Sequence, residues 1–217
     1  MHVNVNCQNL ERSLAFYRDR VGLAPQSHTN PLPQDGEGFG LSGKVVWDAH
    51  LLHDDRGYLG PAVDLLEWKT PAPIGRPHPE ANALGFMRLC LTHHDLDALH
   101  AELTKAGVST RSGPVSVPVI EGHDVRFFCC ADPDGTCIEF VERPGPVRMS
   151  HININCSDLD ASSAWYQRVL GVVPIAPRAE PPPASGAGFG FDGECRYRAD
   201  FLAVDGNPES LILDLLE

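Results

Sequence analysis

The chain has 217 residues, of which 42% are hydrophobic and 21% charged, values ordinary for a globular protein of one or two domains. Its formal net charge of −12 opposes binding to nucleic-acid phosphates, so we expect no nucleic-acid partner. No apolar run approaches the roughly 20 residues that cross a membrane, and no secretory signal is visible. The cysteines are scattered and include no C-x-x-C pair. These features together favour a reducing cytoplasm as the location.

The first predicted elements form a strand, a helix and further strands. Residues 2–7, HVNVNC, alternate polar and apolar side chains with the period of a half-buried strand. Asn9 is a suitable helix N-cap, and Gly22 is a suitable end for that helix. Extended segments are predicted at 44–53 and 61–68. This order is that of a β-α-β-β-β module.

The same module recurs along the chain. The sequence HVNVNCQNL at 2–10 returns as HININCSDL at 151–159, and DLLE at 64–67 returns at 214–217. An internal repeat of this kind indicates repeated structural units.

A more distant copy lies between these two. It begins with GFMRLCLTHHDLD at 85–97 and ends with DPDGTCIEFVE at 132–142. Connectors rich in Pro and Gly flank it at 70–80 and 143–148. We therefore predict an α+β fold of three tandem modules, with the following bounds: 1–69, 85–143 and 149–217.

Two strand faces carry unusual polar residues. The polar face His-x-Asn-x-Asn that opens modules 1 and 3 suits either the lining of a polar cavity or a solvated edge. Glu67 and Glu139 each follow apolar residues on one face of a predicted strand. A carboxylate drawn toward the core needs a cation, a donor or a metal, although a solvated strand end is the alternative.

These patterns resemble the vicinal oxygen chelate superfamily, which includes glyoxalase I, bleomycin resistance proteins and extradiol dioxygenases. The resemblance rests on a first-strand His followed by an (Asn/Ser)-(Asn/Asp)-Leu-x-x-Ser motif, and on DPDGTCIEF. In that family two modules pair, and their sheets curl into an antiparallel cup around a divalent metal. The resemblance implies that modules 1 and 2 pair over residues 1–143.

The resemblance also implies a ligand set, at the start of the first strand and the end of the last strand of each module. The ligand positions carried over are His2, Glu67, Glu139, His151 and Glu217. Arg88 departs from this pattern because a guanidinium has no lone pair to offer a metal. It would either replace the metal by pairing with Glu67 or Glu139, or hold an anionic substrate.

Further roles are implied for the cup. Glu139 is the predicted general base, and the metal would be iron, manganese, nickel or zinc, with a metal-free cup as the alternative. The residues predicted to bind a small-molecule substrate are Arg88, Asn4, Asn6, His50 and His123. Cys129 stands where extradiol dioxygenases carry a Tyr, which weakens the likeness to that branch.

Module 3, residues 149–217, is predicted to be unpaired, because the count of modules is odd. It would be either truncated or completed by a homodimer through this module. The functional expectation is a metal-dependent lyase or dioxygenase-like enzyme that acts on a substrate with vicinal oxygens. The alternative is a non-catalytic binding protein, of drug-sequestering type, with a degenerate metal site.

Overall fold

The computed structural model describes residues 1–120 and 123–217, and the side chains of residues 1–118 and 124–217. Short helices combined with curled sheets confirm the predicted α+β class. The chain divides into two compact units. The first comprises Met1–Pro77 with the turn Asp132–Gly135, and the second comprises His78–Ala131 with Thr136–Glu217.

Module 1 supplies the helix and strands of the first unit. Its elements are β1 His2–Cys7, α1 Leu10–Tyr17, β2 Ala24–Thr29, β3 Gln34–Asp35, β4 Lys44–His53 and β5 Ala62–Thr70. The sheet has the order β1-β5-β4-β2, with β3 beside β4. Strand β1 runs parallel to β5, and the other pairs are antiparallel.

Modules 2 and 3 supply the second unit. The elements of module 2 are β6 Gly85–His93, α2 Leu96–Lys105, β7 Val115–Ile120, β8 His123–Ala131 and β9 Cys137–Glu142. The elements of module 3 are β10 Met149–Asn155, α3 Leu159–Leu170, β11 Val172–Pro174, β12 Ala184–Ser185, β13 Glu194–Cys195, β14 Ala199–Val204 and β15 Ile212–Leu216. No helix among the described residues is long and apolar enough to span a bilayer.

One sheet of eight strands joins modules 2 and 3. Its order is β11-β14-β15-β10-β6-β9-β8-β7, and the two modules meet where β10 pairs antiparallel with β6. The predicted pairing of module 1 with module 2 is therefore not the pairing in the structure, and module 3 is not unpaired. The local pattern identifies each strand but not the edge that it joins. The connector 143–148 is also shorter than 71–84, and a shorter loop costs less entropy to close.

Each helix packs on the last strand of its own module: α1 on β5, α2 on β9 and α3 on β15. The apolar faces of these elements form the cores of the modules. In module 3 the buried cluster includes Leu159, Leu202 and Leu215. The opposite face of the central strands β9, β6, β10 and β15 carries polar side chains beside a second buried cluster, which includes Cys90, Cys137 and Val141.

A glutamate near the end of each module caps the helix of that module. The backbone N–H donors and carboxylate acceptors are Leu10 to Glu67 at 2.9 Å, Leu96 to Glu142 at 3.3 Å and Leu159 to Glu217 at 3.2 Å. The first N–H groups of a helix have no partner within the helix, and a negative charge is favourable there.

This capping corrects the alignment of the modules. Glu67 and Glu217 are equivalent to Glu142, and not to Glu139, because all three accept from the first residue of a helix. The ligand prediction for Glu67 and Glu217 aligns them with Glu139, and this alignment is displaced by three residues. The residues at the position of Glu139 are Asp64 and Asp214.

We predict that Glu142→Ala lowers the free energy of unfolding by about 1 kcal/mol, because the N–H of Leu96 loses its acceptor. The substitution also removes one of two acidic partners of Arg126, at 2.8 Å, and leaves the other, Asp97, at 2.7 Å. Urea denaturation measures the loss. Glu180→Ala, at an exposed loop glutamate, is the matched control and should leave stability unchanged. Equal stability of the two variants would contradict the capping role.

Candidate metal centre

Four central strands of the second unit place polar side chains on one face of the sheet. These side chains are Arg88 on β6, Glu139 on β9, His151 on β10 and Asp214 on β15. The strands are neighbours in the order β15-β10-β6-β9. In the register Cys90 lies opposite both Glu139 and His151. The pairing of modules 2 and 3 therefore builds the centre.

Arg88 and Glu139 form a buried ion pair. The Nε of Arg88 donates to Oε2 of Glu139 at 2.7 Å, and their side chains are 3% and 9% exposed. The Arg88 guanidinium also lies 4.8 Å from the centre of the Phe189 ring, a cation–π contact. Burial alone would lower the pKa of Arg88, but the nearby acidic groups, of which Glu139 contributes most, together outweigh burial and raise that pKa above its ordinary value. Arg88 is thus a permanent cation.

His151 lies between two carboxylates. Its Nε2 is 3.9 Å from Oε1 of Glu139 and 3.9 Å from Oδ2 of Asp214. Its Nδ1 is 3.2 Å from the hydroxyl of Ser150. The ring is therefore held at one nitrogen, and its Nε2 faces the carboxylates.

Asp214 is buried on the same face of the sheet. Burial raises the pKa of this carboxyl, and the nearby charges of His151 and Arg88 oppose that rise. The Nδ2 of Asn153 donates to Oδ2 of Asp214 at 3.3 Å. The other oxygen, Oδ1, is buried without a hydrogen-bond partner among the described residues, so it is a free acceptor.

The donor set fits a divalent metal. Donor atoms of Cys90, Glu139 and His151 all lie within 4.8 Å of one another, and this cluster could hold a metal ion. Imidazole, carboxylate and thiolate are ligands that zinc and related metals accept. Arg88 occupies only Oε2 of Glu139, and Oε1 receives a long contact of 3.9 Å from the Cys90 thiol, which a metal bound between the two would replace. Burial and the charge of Glu139 raise the pKa of the Cys90 thiol, so a metal would have to displace its proton.

A cavity opens beside this centre. Its volume is about 130 Å³, well above the space that a single water needs. Its walls are mostly apolar, and they include Arg88, Phe189, Phe191, Arg196 and Tyr197. Burial, followed by the nearby charge of Asp214, raises the pKa of Tyr197 to about 12. Tyr197 is therefore a neutral hydrogen-bond donor near pH 7.

Several residues predicted to form the site lie in the first unit. The ring of His2 is 52% exposed and 3.9 Å from Asp64, and Asn4 is exposed. Asn6 accepts a hydrogen bond from the indole of Trp68 at 3.1 Å. These residues lie along β1 and its neighbour β5.

Two further residues of the first unit differ from their predicted roles. His50 stacks on His28 with ring centres 4.3 Å apart. Burial, followed by the charge of His28, lowers the pKa of His50. Glu67 caps α1 and pairs with Lys69 at 2.6 Å, so both of its oxygens are engaged.

Two predicted residues remain. Glu217 belongs to the second unit, where it caps α3 and pairs with Arg198. The side chain of His123 lies outside the described residues.

Three residues of the centre are absent from the predicted set: Cys90, Asp214 and Tyr197. The signal for Asp214 is present in the sequence, because it precedes the capping Glu217 by the same spacing as Glu139 precedes Glu142. Cys90 and Tyr197 show no comparable signal. A cysteine among apolar neighbours, such as Cys90, is indistinguishable in sequence from a small hydrophobic core residue.

Comparison with known proteins identifies relatives of the chain. Residues 1–140 match the family model described as the Glyoxalase/Bleomycin resistance protein/Dioxygenase superfamily. Glyoxalase I from Zea mays matches with a TM-score of 0.71 at 16% identity, over 100% of this chain and 66% of that chain. A point mutant of the maize enzyme matches with a TM-score of 0.69 at 16% identity, over 99% of this chain and 66% of that chain. A glyoxalase family protein from Bacillus cereus matches with a TM-score of 0.54 at 24% identity, over 66% of this chain and 93% of that chain.

At these identities the solved structures establish the fold alone. The chain spans 66% of the length of the maize structures. Among curated protein sequences, none is significantly similar to this chain.

We predict that Glu139→Gln lowers the free energy of unfolding of EDTA-treated protein by about 3–5 kcal/mol, because it leaves the buried charge of Arg88 unpaired. Urea denaturation measures this loss. The matched control is Asp160→Asn, which removes an exposed partner of Arg178 and should cost about 1 kcal/mol or less. Losses of equal size would show that the Arg88–Glu139 pair is not the buried pair described above.

Proposed function

We propose that this chain, which belongs to the glyoxalase/bleomycin resistance protein/dioxygenase superfamily, is a metal-dependent enzyme that acts on a small substrate with two adjacent oxygen atoms. The reaction would be of the glyoxalase (lyase) or extradiol-dioxygenase type. The observation that carries the proposal is the cluster of Cys90, Glu139 and His151 donor atoms within 4.8 Å, beside a cavity.

The ligands of the metal would be Nε2 of His151 and Oε1 of Glu139, supported by Asp214 and Cys90. When bound, a divalent metal would polarise the two substrate oxygens as a Lewis acid. Asp214 suits a ligand role because its Oδ1 has no hydrogen-bond partner among the described residues. Asn153 would steady this carboxylate through the bond to Oδ2.

The remaining side chains would orient the substrate and exclude water. Arg88 holds Glu139 through Oε2, which fixes the carboxylate that would serve as ligand or as general base. Tyr197 lines the cavity as a neutral phenol, so it could donate a hydrogen bond to a developing oxyanion. Phe189 and Phe191 supply apolar walls that strengthen electrostatic interactions by keeping water out.

The cellular setting is part of the proposal. None of the seven cysteines, all of which lie in the described part of the chain, forms a disulfide, which favours a reducing cytoplasm. The acidic net charge of −12 disfavours nucleic acid as a partner, and a small molecule remains the natural ligand.

A second candidate function rests on Arg88. A buried ion pair at a ligand position is a physical substitute for a metal, and it would leave a non-catalytic binding cup. In this alternative His151 and Asp214 would form a polar wall of the binding site. The two functions differ in whether the purified protein holds metal.

The test is metal analysis of protein purified without a histidine tag. We predict roughly one divalent metal ion per chain, and an affinity at least about tenfold lower in His151→Ala. His94→Ala removes an exposed histidine, and Glu67→Gln removes a carboxylate that caps a helix. Both control variants should keep the full metal content.

Two outcomes would contradict the proposal. Wild-type protein that takes up no divalent metal on titration would favour the binding cup. If the His151→Ala variant retained the metal and the Glu67→Gln variant lost it, the metal site would lie in the first unit.

A further inference from the structure

The guanidinium of Arg88 has donors that the protein does not use. Its Nε–H is taken by Glu139, but neither Nη group has a hydrogen-bond partner among the described residues. The side chain is only 3% exposed. Buried polar groups are almost always hydrogen-bonded, and a guanidinium carries five N–H donors. The Nη atoms are not among the fully buried polar atoms that lack a partner, so they are accessible and open to an acceptor that the chain itself does not supply.

The cavity beside Arg88 is where that acceptor would lie. Arg88 is one of its lining residues, and so is Phe189, whose ring lies 4.8 Å from the guanidinium carbon. Glu217 also lines the cavity, and its Oε2 is engaged by Arg198 and by the N–H of Leu159. Within the described residues, the cavity thus contains a buried cation whose Nη donors have no protein acceptor.

A second cation and flat apolar walls complete the site. Arg196 lines the cavity, is exposed, and has no ion-pair partner in the described part of the chain. Phe189, Phe191 and Tyr197 contribute aromatic rings. Aromatic faces favour a flat ligand, while the two guanidinium groups favour a negative charge.

We propose that the cavity binds a small aryl carboxylate, whose two carboxylate oxygens accept hydrogen bonds from the Nη groups of Arg88. The ring of the ligand lies against the aromatic walls, and Arg196 adds positive charge at the site. Arg88 thereby bridges two carboxylates, Glu139 through Nε and the ligand through Nη.

This inference rests on the proposed function for its identification of the cavity as the substrate site. It then narrows the substrate class to aryl carboxylates with an α-oxo or α-hydroxy group, because these carry a carboxylate and a vicinal oxygen on adjacent carbons. Anion binding itself depends on Arg88 and not on a metal, so the two proposals can fail separately.

The test is calorimetric titration of the EDTA-treated full chain with benzoate and with benzamide, its neutral counterpart. We expect benzoate to bind at least about tenfold more tightly, because charge-assisted bidentate hydrogen bonds are the strong ones. Phenylglyoxylate, which adds an α-oxo group, should bind the metal-free protein about as well as benzoate. It should gain affinity over benzoate when the metal is restored.

The decisive variant is the double substitution Arg88→Gln/Glu139→Gln. It removes both charges together, so that no buried charge is left unpaired, and a cooperative thermal transition verifies its fold. The preference for benzoate over benzamide should disappear. Arg178→Gln, at an arginine already engaged by Asp160 and Asp200, is the matched control and should keep the preference.

Three results would overturn the inference. The first is equal affinity of the wild-type protein for benzoate and benzamide. The second is a folded double variant that keeps the preference. The third is a preference that appears only after metal is added, since the anion would then be held by the metal. A protein that binds benzoate as expected but takes up no metal would instead overturn the proposed function alone.

Discussion

The antiparallel pairing of β10 with β6 is the contact on which the site depends. It joins the first strands of modules 2 and 3 and places Cys90 opposite His151 and Arg88 opposite Asn153. The parallel partners of these two strands, β9 and β15, then bring in Glu139 and Asp214. Without this pairing each module would carry only one basic and one acidic side chain at its end of the sheet.

Two carboxylates at the end of each module have separate tasks. The outer one, Glu67, Glu142 or Glu217, satisfies the N–H groups at the start of a helix. The inner one, Asp64, Glu139 or Asp214, faces a basic residue in the first strand of a module. In the second unit the inner carboxylates are buried, so they need cationic or metallic partners. Arg88 and His151 meet part of that need and leave Oδ1 of Asp214 free.

The sequence predicts the elements well and their assembly less well. Alternation in HVNVNC predicts β1, and the predicted N-cap Asn9 begins α1 in the structure. Each of these signals is local, because it depends on side-chain period and on backbone capping. The edge at which a strand pairs depends on contacts far apart in the chain, so the partner of module 2 could not be read from its own pattern.

The site was predictable only in part for the same reason. Arg88, Glu139 and His151 stand at positions that the repeat identifies, and the structure brings them together. The sequence assigns Glu67 and Glu217 to the ligand position because two similar carboxylates lie three residues apart near the end of a module, and one of them faces the helix. Only the hydrogen bonds to Leu10 and Leu159 decide which of them faces the helix.

The most direct test of a metal centre between modules 2 and 3 is anomalous diffraction from crystals soaked in Mn²⁺ or Zn²⁺. We predict a single strong peak bounded by Nε2 of His151 and Oε1 of Glu139, with Asp214 or Cys90 within coordination distance. A peak beside His2 and Asp64 with none at His151, or no peak at either place at saturating metal, would contradict it.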